Sequence, residues 1–127
     1  MYLFDLIILI DDDPINNLIN RRLIGKLDIS QNVVEFPEAE KALQFIKTID
    51  KIRSLILLDI NMPVMNGWDF LYAYAAMENR SDETIIMLSS SIDHQDRLKA
   101  DGFGFVRAFI EKPLTKEKLL NALKKNS

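Results

Sequence analysis

Uninterrupted aliphatic runs alternate along this chain with stretches whose apolar side chains recur every three or four positions. Leu6 to Ile10 is apolar throughout and Ser54 to Leu58 almost so. Strands that read this way are expected to be buried on both faces, because an exposed face would carry polar residues at every second position. Val33 to Phe36, Thr84 to Leu88 and Ala108 to Ile110 are shorter strand candidates. Between the strands lie helical patterns. Asp13-Pro14 reads as a helix start, with Asp13 capping and Pro14 at the first helical position, and Ile15, Leu18, Ile19 and Leu23 follow at helical spacing. Pro37 opens a second helix carrying Ala39, Ala42, Leu43, Ile46 and Ile49, and a third follows Asn66-Gly67 with Trp68, Leu71 and Tyr74 or Ala75 on one side. A polar, weakly amphipathic helix lies within Asp93 to Lys99, and Thr115 begins a last one with Leu119, Leu120 and Leu123.

Strict alternation of strands and helices predicts an α/β fold: a five-stranded parallel sheet, doubly wound, flanked on both faces by five helices. In sheets of strand order 2-1-3-4-5 the ligand crevice lies beyond the carboxyl ends of the strands, between strands 1 and 3. Residues at those ends are therefore the ones to inspect.

Strand 1 ends in Asp11, Asp12 and Asp13, and strand 3 ends in Asp59. Clustered carboxylates repel one another unless a cation sits among them, and an all-oxygen donor set suits a hard divalent ion such as Mg²⁺. Asp13 is better placed as the helix cap than as a ligand. Strand 4 runs into Ser89, a hydroxyl donor, and strand 5 into Lys112-Pro113, which brings an ammonium group to the same rim. Asp11, Asp12 and Asp59 would be nearly neutralised by one Mg²⁺ together with Lys112.

Composition removes other classes. The 127 residues, 48 % of them hydrophobic, suit one domain over 1–127, and the absence of cysteine rules out disulfides and thiolate metal sites. A net charge of -3 spread over intermingled acids and bases argues against nucleic-acid binding. Met1 to Ile10 is short and lacks a basic leader, so neither export nor a membrane span is expected and the cytoplasm is the expected location. The sequence stops at Ser127, just after the last helix, and is expected to be either a stand-alone domain, which Met1 directly before strand 1 favours, or a fragment of something longer. His94 stands alone in a polar segment and reads as a solvated helix residue, Trp68 reads as core, and Gly102-Phe103-Gly104 follows no strand, so it is no dinucleotide loop.

Four pieces, in order and at strand ends, resemble the receiver domain of two-component response regulators. They are Ile10-Asp11-Asp12, Leu58-Asp59-Ile60-Asn61-Met62-Pro63-Val64-Met65-Asn66-Gly67, Leu88-Ser89-Ser90 and Lys112-Pro113-Leu114. The resemblance spans essentially the whole chain and implies the flavodoxin-like fold. It also implies that Asp59 is the phosphoacceptor, that Asp12 binds Mg²⁺ directly and Asp11 largely through water, and that the Asn61 backbone carbonyl is a further ligand. By the same resemblance Ser89 hydrogen-bonds a phosphoryl oxygen, Lys112 pairs with phosphate, Phe109 takes the aromatic switch position, and Lys112-Pro113 is a cis peptide. Asn61 and Ser91 stand where relatives control hydrolytic water, which gives an expected phosphoryl lifetime of minutes. Ser89 in place of the commoner threonine keeps the donor and drops a methyl.

A carboxylate can attack phosphorus to form an acyl phosphate while a metal neutralises charge in the transition state. The implied donor is a phosphohistidine on a sensor histidine kinase or phosphotransfer protein, and the implied output is a surface change read by a downstream protein, with the chain a monomer or a phosphorylation-linked dimer. Such a domain catalyses only its own phosphorylation and dephosphorylation. Two other classes are weighed. An Mg-dependent aspartyl phosphohydrolase would need an Asp-x-Asp pair following the nucleophile, which Asp59 lacks, and a substrate cap, for which the chain is too short; an unphosphorylated pseudo-receiver would lack some of the acids, hydroxyl and lysine present here.

Overall fold

Successive residues of a strand point to opposite faces of its sheet, so a strand that is apolar at every position needs cover on both sides. The chain meets that need by returning a helix to one face or the other after every strand. The structure, a computed structural model, describes residues 2–49, 52–77 and 83–124. Its elements are β1 (Leu6–Ile10), α1 (Pro14–Leu27), β2 (Val33–Phe36), α2 (Ala39–Ile46), β3 (Ser54–Asp59), α3 (Gly67–Ala75), β4 (Glu83–Ser89), α4 (His94–Asp101), β5 (Val106–Glu111) and α5 (Lys116–Lys124). The strands are all parallel, in the expected order β2-β1-β3-β4-β5.

One face of the sheet carries Ile8, Ile10, Ile56, Leu58, Ile85 and Met87, covered by Leu43 and Ile46 of α2 and by Trp68, Phe70 and Leu71 of α3. The other carries Ile7, Leu9, Leu55, Leu57, Ile86 and Leu88, covered by Ile24 of α1 and Leu119 and Ala122 of α5. Each fully buried side chain of this size stabilises the fold by about 1.5–3 kcal/mol relative to exposure, so β1 and β3 anchor the molecule. No helix among the described residues is long and apolar enough to cross a membrane.

The pattern of α1 misleads. Ile15, Leu18 and Ile19 are 65, 46 and 51 % exposed, whereas the residues turned inward are Asn17, Asn20 and Ile24. The Asp13 side chain caps the helix by accepting from the Ile15 N–H, and the Asn17 amide bonds the carbonyl of Asp11, so polar contacts at the entry set how the helix is rotated. Elsewhere the differences are local. The second helix begins at Ala39, two residues past Pro37, and Ile49 packs on the core from beyond its end. On α3 the buried member is Tyr74 rather than Ala75. β5 starts earlier than its apolar run, because Arg107 is tolerated in the strand: its guanidinium donates to the carbonyls of Ala122 and Leu123 at the end of α5, at 3.2 and 2.8 Å.

Candidate functional site

The register Ile10↔Leu58 sets the ends of β1 and β3 side by side, and the next residues are the acids. Asp11 and Asp59 are buried, at 3 and 4 % exposure, and Asp12 is exposed. A carboxylate oxygen from each of the three lies within 4.8 Å of the others. Asp11 is tightly held: its N–H donates to the Phe36 carbonyl at 3.2 Å, its Oδ1 accepts from the Asp13 N–H at 2.9 Å, and its own carbonyl accepts from Asn17 Nδ2 at 2.9 Å.

Lys112 enters from the far side of the sheet. Its N–H donates to the Ser89 carbonyl at 2.7 Å, the following peptide to Pro113 is cis, and the side chain reaches back over the strand ends. There Nζ meets Asp59 Oδ1 at 3.0 Å and Asp11 Oδ2 at 3.2 Å, joining residues 101 positions apart in sequence. The β3–α3 loop is pinned above the acids by Gly67, whose N–H donates to the Ile60 carbonyl at 2.9 Å; the Asn66–Asp69 capping box holds the helix that follows.

Burial pushes the Asp59 carboxyl above its ordinary range, and the charge of Asp11 adds to this, while Lys112 and the Asn61 N–H pull the other way without cancelling it. Burial pulls the Lys112 ammonium down, but its hydrogen bond to Asp59 and the charges of Asp11 and Asp59 outweigh that and hold it above the usual lysine value. Three carboxylates against a single ammonium leave the site two charges negative when all are ionised. A hard divalent cation matches both that deficit and the all-oxygen donor set.

Asp11, Asp12, Asp59 and Lys112 are thus brought together. Ser89 is buried at the same rim, but its hydroxyl is turned into its own loop, donating to the Ser91 carbonyl at 2.7 Å and accepting from the Ser91 N–H at 3.3 Å. Phe109 is half-buried, its ring edge-on to Trp68 at 6.1 Å, and Trp68 is core as expected. Asn61 is exposed in the loop after Asp59. Sequence reasoning missed Asn17. The available signal was a pair of asparagines, Asn17 and Asn20, about one turn apart and in line with Ile24 on the same side of the helix.

The family model of the response regulator receiver domain matches residues 7–124. The chain belongs to the response regulator receiver family. A two-component response regulator from Oryza sativa subsp. japonica is 32 % identical over 117 residues, covering 89 % of this chain and 87 % of that protein. A sensor histidine kinase of Helicobacter pylori is 27 % identical over 121 residues, but this chain spans 15 % of its length. The crystal structure of a two-component response regulator from Cytophaga hutchinsonii superimposes with a TM-score of 0.85 at 30 % identity, covering 96 % of each chain. Receiver domains take phosphate from histidine kinases or phosphotransfer proteins, and the acid cluster of this receiver fits phosphoacceptor and Mg²⁺-binding roles in two-component signalling.

Proposed function

We propose that this receiver accepts a phosphoryl group on Asp59 from a phosphohistidine, with Mg²⁺ held by Asp11, Asp12, Asp59 and the Asn61 carbonyl. The observation that carries the assignment is the Lys112 ammonium, shared at 3.0 and 3.2 Å between Asp59 and Asp11 beside three converging carboxylates. Asp59 ends a central strand and is the acid from which Lys112 can swing onto an incoming phosphoryl group. Mg²⁺, when bound, lowers the charge at the reacting oxygens and keeps the Asp59 carboxylate ionised.

The Asp59 oxygen attacks phosphorus, the P–N bond of the phosphohistidine breaks, and the imidazole leaves; the product is an acyl phosphate on Asp59. Lys112, bonded to Asp59 beforehand, then pairs with a phosphoryl oxygen. The Ser89 hydroxyl can donate to the phosphoryl group only by giving up the Ser91 carbonyl, so phosphorylation pulls on the β4–α4 loop. Phe109 and its Trp68 contact move with that loop, and the altered surface is what a downstream protein reads. The chain catalyses its own phosphorylation and dephosphorylation and no other turnover. The donor is a sensor histidine kinase or phosphotransfer protein, for which exposed Ile15, Leu18 and Ile19 beside the acid loop supply an apolar seat.

Mass spectrometry after treatment with acetyl phosphate and Mg²⁺ tests the assignment. A single phosphoryl adduct is expected on the native chain, absent with EDTA and absent from Asp59→Asn. An equal adduct on Asp59→Asn would refute it.

A further inference from the structure

We infer that Asn17 is a positioning residue for the magnesium site, acting through the backbone of Asp11; this rests on the magnesium reading proposed above. Asp11 lies one residue beyond the end of β1, where the sheet ceases to satisfy the chain's carbonyls. Its N–H still pairs with β2, through Phe36, and its two carboxylate oxygens accept from the Asp13 N–H and from Lys112. The remaining polar group, the carbonyl, faces α1 and accepts from Asn17 Nδ2 at 2.9 Å. That carbonyl belongs to the peptide joining Asp11 to Asp12. Fixing the plane of this peptide fixes the angle between the two acids, and Asp12, exposed, is placed by the peptide that carries it.

The cost of this bond marks it as more than packing. Asn17 is 3 % exposed, and its Oδ1 is buried without a partner. Only a donor can meet the Asp11 carbonyl, so the amide cannot flip to satisfy the oxygen. A leucine of similar size would bury apolar surface and leave no orphaned side-chain atom, but it would strand the Asp11 carbonyl without a donor. Instead, α1 is rotated so that Asn17 and Asn20 face inward while Ile15, Leu18 and Ile19 face solvent. An orphaned acceptor and an exposed apolar stripe are both accounted for if the helix is held by the acid loop. Residues that orient metal ligands without touching the metal typically change affinity by about 10–100-fold when removed.

The test compares the native chain with Asn17→Leu, using Mg²⁺ alone as the probe. By isothermal titration calorimetry the Mg²⁺ dissociation constant should rise about tenfold in the variant, and its melting temperature in EDTA should fall because the buried Asp11 carbonyl loses its donor. A lowered melting temperature with an unchanged Mg²⁺ affinity would overturn the inference, since that is what a purely structural asparagine gives. A second measurement needs no variant: in the NMR spectrum of the native chain, the Asn17 side-chain amide protons should exchange slowly and shift with the midpoint of the Mg²⁺ titration. Fast exchange and no shift would overturn the inference equally. If the native chain itself takes up no Mg²⁺, the magnesium reading fails and the inference with it; equal uptake by both chains defeats the inference alone.

Discussion

Replacing Lys112 by alanine should move stability and metal affinity in opposite directions. The ammonium sits 3.0 Å from Asp59 Oδ1 and 3.2 Å from Asp11 Oδ2, with 19 % of the lysine side chain and 5 % of each acid exposed. Deleting one partner of a buried ion pair costs about 3–5 kcal/mol when the remaining charge stays uncompensated. Here Asp59 already holds its proton more tightly than an ordinary carboxyl and can neutralise itself in part. Asp12 also opens the site to water. The expected loss without Mg²⁺ at pH 7 is therefore about 2 kcal/mol, a fall of about 6–10 °C in melting temperature for a domain of this size. Mg²⁺ gains from the same change, because a cation competing for these carboxylates no longer faces the ammonium. Two unit charges 4 Å apart repel by about 1 kcal/mol in water and about 4 kcal/mol at an effective dielectric of 20, so Mg²⁺ should bind Lys112→Ala at least about tenfold more tightly. Urea denaturation in EDTA and in saturating Mg²⁺, with calorimetric titration of the metal, measures both quantities. Weaker Mg²⁺ binding by Lys112→Ala would refute the reasoning: the lysine would then be organising the acids rather than occupying the cation's place.

Three further outcomes follow from the geometry. Gly67→Ala would place a Cβ 2.8 Å from the Ile60 Cα and 2.9 Å from the Asp59 carbonyl oxygen, both backbone atoms, so it should cost about 2 kcal/mol or more and slow phosphorylation by acetyl phosphate; an unchanged denaturation midpoint would contradict this. Val64 is 91 % exposed with φ at 66°, a left-handed conformation that a β-branched residue adopts at a cost, so Val64→Asn should raise stability by about 0.5–1 kcal/mol in equilibrium denaturation, and a loss would tell against strain there. Burial holds the Asp59 carboxyl above its ordinary range, so the folded chain binds this proton more tightly than the unfolded chain does. Its contribution is complete below the unfolded-state pKa and is lost as pH rises through the raised folded value. In EDTA, Asp59→Asn should therefore gain on the native chain between acid and neutral pH, and a stability difference independent of pH would count against the raised value.

The sheet was legible because β1 and β3 are apolar at every position, a pattern that admits little besides strands covered on both faces. The acids were legible for a related reason: a charge at the tip of such a strand has nowhere to go but the rim. The rotation of α1 was not legible. Its two candidate stripes, Ile15-Leu18-Ile19 and Asn17-Asn20-Ile24, lie on opposite sides of the helix, about half a turn apart, and hydrophobicity alone picks the first. The choice is made by a hydrogen bond to a strand end that only the assembled fold creates. The early start of β5 was hidden likewise, since Arg107 looks like a loop residue until the carbonyls that end α5 are beside it. The direction of the Ser89 hydroxyl is a rotamer choice within its own turn, and no spacing in the chain encodes it.

The ion pair between residue 11 and residue 112 has a consequence for how the protein is made. The ribosome must have passed residue 112, and β1 must already be seated between β2 and β3, before the ammonium can reach its two acids. A copy that ends before residue 112, or is only half folded, has the aspartates but not the ammonium that pairs with them. The complete charge arrangement at the strand ends is thereby tied to structural integrity.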